Sequence, residues 1–193
     1  MCKKLPILAI AIVTLSLLTA GLGVASAQDV FRINYFSNNA APAPDATVRI
    51  DNPGVTGGNL CAMIYVFDND QQLSECCGCI ETPNGLRTLS VRNNLTSNPL
   101  TGVVSRTGVI KVVSAAVNNS PCDPTSNVTP TPNLRVWVTH IQNPVGTAYP
   151  ITESESSDST LGTKELSFNL QAECAFVNIL GSGHGICSCG TGD

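Results

Sequence analysis

The chain has 193 residues, 12% of them charged, with ten basic against fourteen acidic side chains. The basic residues of the body stand singly, so there is no cationic face to displace counterions from a nucleic acid or to meet an anionic membrane surface. Nine cysteines at this length point instead to bridging or ligation.

Residues 1–27 read as a cleavable secretory signal. Lys3 and Lys4 form a positive start, Leu5 to Val24 is apolar, and Ala25-Ser26-Ala27 is a small-residue cleavage site. The competing reading is an uncleaved anchor, because the apolar run is almost long enough to span a bilayer. Cys2 leaves with the signal, and no cysteine sits at the cleavage point to carry a lipid. Residues 28–193 then suit one domain, with eight basic residues against fourteen acidic ones and a net charge of −6. No second apolar run approaches spanning length, so the expected location is secreted, periplasmic or at the cell surface.

Gln28 to Phe36 alternates Phe31, Ile33 and Tyr35 with polar residues and predicts a half-buried strand. The linker NNAAPAPD follows, Asn38 to Asp45. It leaves strand 28–36 able to dock on its own sheet or on the open sheet edge of a neighbour, a route to self-association. Ala46 to Asp51 predicts a second strand, broken by Asn52-Pro53-Gly54.

The stretch Asn59 to Arg92 organises the rest and reads as three antiparallel strands. Leu60 to Phe67 is continuously apolar, as in a strand buried on both faces. Asp68-Asn69-Asp70 turns it back into Cys76, Cys77 and Cys79, and Pro83-Asn84-Gly85 turns it again. A three-residue loop there sets Phe67 opposite Gln71 and Cys61 opposite Cys77, close enough to bridge.

Asn93 to Gly102 reads as loop, Val109 to Val113 as strand, and Asn118 to Asn133 as a long loop tied down by Cys122. Leu134 to Ile141 alternates, with Leu134, Val136, Val138 and His140 on one face. Glu153 to Ser159 reads as an acidic, exposed loop. Residues 160–180 fit both helical and strand spacing; length and scarcity of β-branched residues favour a helix ending at Gly181. The glycine-rich tail allows only turns and a short extended piece. The sum is a mainly β, disulfide-stabilised antiparallel sandwich with a C-terminal helix. Immunoglobulin-like packing is compatible, although the cysteine and tryptophan spacing of antibody domains is missing.

NLCAMIYVFD at Asn59 to Asp68, ECCGC at Glu75 to Cys79, LTSNPLTGV at Leu95 to Val103 and GICSCG at Gly185 to Gly190 resemble a group of secreted bacterial proteins. The resemblance covers most of the exported chain. It implies export and a single cysteine-bridged domain, and attaches no activity.

Eight cysteines remain after export: Cys61, Cys76, Cys77, Cys79, Cys122, Cys174, Cys187 and Cys189. An even number in an exported chain predicts a disulfide framework, with 105 pairings open. The alternative is a soft-metal thiolate site on Cys76, Cys77, Cys79, Cys187 and Cys189, with His184 as nitrogen ligand. His140 and His184 are the only histidines, and His140 reads as a buried, hydrogen-bonded residue rather than a base. Gly181 to Gly185 is neither a nucleophile elbow nor a P-loop. Asp68, Asn69, Asp70 and Glu75 lack the further ligands of a calcium loop, and Glu153 with Glu155 lacks the aromatics of a glycosidase. Asn94, Asn118 and Asn127 begin glycosylation sequons, which matter only in a glycosylating host. The expected function is an exported structural or interaction protein without enzyme activity or cofactor; a thiolate metal protein and a secreted hydrolase are the competitors.

Overall fold

The structure, a computed structural model, describes residues 29–118, 121–126 and 128–190. The expected signal segment lies outside the described residues, as do Gln28, Asn119, Ser120 and Asn127.

Alternating sequence gives the first two strands, β1 (Phe31–Phe36) and β2 (Thr47–Asp51). The apolar run becomes β3 (Leu60–Asp68), followed by β4 (Leu73–Glu81) and β5 (Leu86–Ser90). A π-helical turn, Val91–Leu95, follows, opened by the Ser90 hydroxyl accepting the Asn93 N–H. Then come β6 (Gly108–Ala116), β7 (Arg135–Ile141), β8 (Ile151–Glu155) and β9 (Ser157–Asp158). A π-helical segment, Glu165–Gln171, runs directly into α1 (Ala172–Ile179), so the ambiguous stretch 160–180 is helical over 163–179, as the length argument favours.

Two antiparallel sheets face each other. One has the order β4-β3-β6-β1-β9, the other β5-β2-β7-β8. β1 pairs with β6 on one side and β9 on the other within its own chain. The core between the sheets takes Leu60, Ala62, Ile64 and Val66 from β3, Val48 and Ile50 from β2, and Val136 and Val138 from β7. The opposite face of β3, through Cys61, Met63, Tyr65 and Phe67, packs under the helical segment and the long loop, against Leu170, Cys174, Val177 and Cys122. Three layers, not two, therefore explain why β3 is apolar at successive positions.

Three expectations need correcting. β5 does not continue the β3–β4 hairpin; it crosses over and pairs with β2 in the other sheet. Glu153 and Glu155 lie on strand β8, not in a loop. Cys61 faces Ile80, not Cys77: the turn is longer, with Phe67 opposite Leu73, and a bulge at Val66/Phe67 adds one more residue. An odd shift in register exchanges the faces, so Cys61 points outward and Cys77 into the inter-sheet core.

Candidate functional site

Strand β4 is the covalent centre of the molecule. It lies at the edge of its sheet, and its cysteines alternate faces. Cys76 points outward to Cys174 of α1, while Cys77 and Cys79 join Cys187 and Cys189 of the tail. Both tail bridges join residues 110 apart, so the two Cys-x-Cys pairs meet in register. The tail thereby runs parallel to β4: Cys76 N–H donates to Gly185 O at 2.9 Å and Cys187 N–H to Cys76 O at 3.2 Å. This covers backbone groups that an exposed edge strand would otherwise offer to another chain. The fourth bridge, Cys61–Cys122, anchors the long loop, and the Tyr65 hydroxyl donates to Pro124 O at 2.8 Å beside it. Four bridges are the mark of an oxidising compartment.

The alternative metal set is drawn together only in part. The sulfurs of Cys77, Cys79 and Cys189 lie within 4.8 Å of one another, but all stand in disulfides. A metal ligand is a thiolate, so occupation would require reducing both tail bridges. Cys76 is turned to the opposite face, and His184 is exposed, as are Ser182 and Gly183 before it. The equal spacing of the two Cys-x-Cys pairs was the available signal for their mutual pairing.

The helix stapled by Cys174 presents an apolar face that sequence reasoning missed. Leu170, Cys174 and Val177 point inward, while Phe168 and Phe176 are 68% and 57% exposed. A groove of about 410 Å³ lies between them and the β3–β4 turn, lined by Gln71, Gln72, Leu73, Leu100, Ala172 and Val177. Glu173 is the one carboxylate there; burial raises its pKa, Lys111 opposes this, and Glu165 adds to it. The signal in the sequence was Phe168, Ala172 and Phe176 at four-residue steps, one face of a helix.

No family model, no curated protein and no solved structure matches the chain.

The other sequence candidates are dispersed. Asp68 Oδ1 accepts the N–H groups of Asp70 and Gln72, a hairpin turn, whereas Glu75 is fully buried. Glu75 Oε1 accepts the Asn98 N–H at 2.7 Å and Oε2 has no partner; burial drives its pKa up to about 7, with the Asn98 bond opposing. Glu153 and Glu155 are paired with Arg49 and Arg135. His140 is buried, and its Nε2 lies 2.8 Å from the Ser154 hydroxyl. Among the described residues no helix is long and apolar enough to cross a membrane.

Proposed function

We propose that the chain is an exported structural protein that associates with a second copy of itself through the face of its C-terminal helix. The observation that carries this reading is the stapled helix with Phe168 and Phe176 exposed beside an apolar groove. A two-fold interface needs a patch that complements itself, and ridge and groove here lie side by side on one face. Phe168 and Phe176 of one copy fill the groove lined by Leu73, Leu100 and Val177 in the other. The exported chain carries a net charge of −6, yet this patch holds a single carboxylate, so like-charge repulsion is least here. The Cys76–Cys174 bridge holds the helix in place, so association costs little ordering.

Light scattering of the oxidised, exported chain over a concentration series tests this. The wild type should pass from monomer to dimer, and the Phe168→Glu/Phe176→Glu variant should stay monomeric with its disulfides intact. A wild type that remains monomeric at high concentration contradicts the proposal. A double variant that still dimerises also contradicts it, and points to exchange of strand 28–36.

A further inference from the structure

On the opposite edge of the sandwich, β8 and β9 carry the chain from one sheet to the other past β1. Ser154 pairs with Val138 and His140 with Thr152 in the β7–β8 register, so Ser154 and His140 are diagonal neighbours on one face. The Ser154 Oγ is 2.8 Å from His140 Nε2. The imidazole is only 3% exposed and stacks on Tyr35, with ring centroids 4.1 Å apart. Ser154, by contrast, is exposed in a cleft of about 480 Å³ lined also by Asn34, Tyr35, Glu155 and Asp158. The Asn34 amide nitrogen reaches the Ser154 Oγ and carbonyl oxygen, each at 3.4 Å, and the Ser156 Oγ at 3.3 Å. A hydroxyl open to solvent, a shielded imidazole on its oxygen and an amide donor alongside are the parts of an acyl-transfer site.

We propose that Ser154 is a nucleophile activated by His140, and that the cleft accepts small, uncharged carboxylic esters. With the ring proton on Nδ1, Nε2 accepts the Ser154 hydroxyl. Ser154 Oγ attacks the ester carbonyl carbon and passes its proton to Nε2. The bond from that carbon to the alcohol oxygen breaks, and the alcohol leaves with the proton, giving O-acyl Ser154. Water then attacks the acyl carbon with the same base, releasing the carboxylic acid and restoring the hydroxyl. Asn34 Nδ2–H, which donates to the Ser154 Oγ and carbonyl oxygen in the free protein, shifts to the oxyanion once the ester is bound. Burial lowers the His140 pKa, with the Tyr35 main chain opposing, so the ring is the neutral base at pH 7. Glu155 and Asp158, paired with Arg135 and Arg32, line the cleft, and none of its lining residues is a cation that would hold an anionic substrate. Among the described residues no carboxylate holds the buried Nδ1, which makes no hydrogen bond of good geometry, so turnover is slow beside that of a full triad.

The test uses the oxidised, exported chain with an alkyl fluorophosphonate and with p-nitrophenyl acetate, each adduct located by peptide mass spectrometry. Fluorophosphonate should add at Ser154 with loss of fluoride, and p-nitrophenyl acetate should leave an acetyl group there. Ser154→Ala, an exposed change, should abolish both adducts. Asn34→Leu and His140→Gln should each slow acetylation by ~100-fold or more, the usual weight of an oxyanion donor or a general base. Should His140→Gln fail to fold, Ser154→Ala and Asn34→Leu still decide. No adduct on folded wild type, adducts on other side chains only, or unchanged labelling in Asn34→Leu overturns the proposal.

Discussion

Glu75 is a carboxyl in an unfavourable place. Its carboxyl is fully buried at the β3–β4 bulge, with one oxygen on the Asn98 N–H and the other without a partner. The sequence groups it with Asp68, Asn69 and Asp70 at the hairpin turn; the structure places it on β4, fully buried. His140 was legible by contrast, because its alternation with Val136 and Val138 puts it on the buried face. Since the folded-state pKa of Glu75 is raised to about 7, the native state holds a proton that the unfolded chain has already lost. Its contribution is therefore greatest at acidic pH and declines as pH rises from the ordinary carboxylate range through about 7. Glu75→Gln should gain up to about 3 kcal/mol over wild type at pH 8 and much less at pH 5. Denaturant unfolding at both values checks this, and equal differences at the two would refute it.

At the scale of elements, β4 depends on close approach from both sides. A Cβ at Gly78 would stand 2.1 Å from the Cys122 carbonyl oxygen, so the long loop can cross the strand only over a glycine. Gly78→Ala should destabilise by about 1–3 kcal/mol, the range for overpacking, or displace the loop. An unchanged midpoint with the Cys61–Cys122 bridge still formed would contradict that. The tail is the second neighbour. Replacing Cys187 and Cys189 with serine should cost about 2–5 kcal/mol and raise hydrogen exchange along β4, the tail being held then only by bonds such as Asn98 Nδ2–H to Gly183 O. Exchange left at its wild-type rate would mean that the tail does not protect the edge. The strands themselves were legible, since β1, β2, β3 and β7 carry clear period-two or doubly buried patterns. Pairing partners were not. The outward turn of Cys61 depends on the turn length and a bulge, and the crossover of β5 on pairing with the sequence-distant β2, neither of which a local pattern encodes.

For the whole molecule, one edge strand gathers helix and tail, and Cys61–Cys122 on the adjacent strand holds the loop. The four bridges fit an oxidising environment. The helix face proposed for association is held to β4 by the Cys76–Cys174 bridge and by the buried Leu170 and Val177. Disulfide mapping of the oxidised chain by non-reducing peptide mass spectrometry tests this frame most directly. It should return Cys61–Cys122, Cys76–Cys174, Cys77–Cys187 and Cys79–Cys189 with no free thiol. A Cys61–Cys77 pair, or free thiols at Cys77, Cys79 and Cys189 with stoichiometric bound metal, would contradict it.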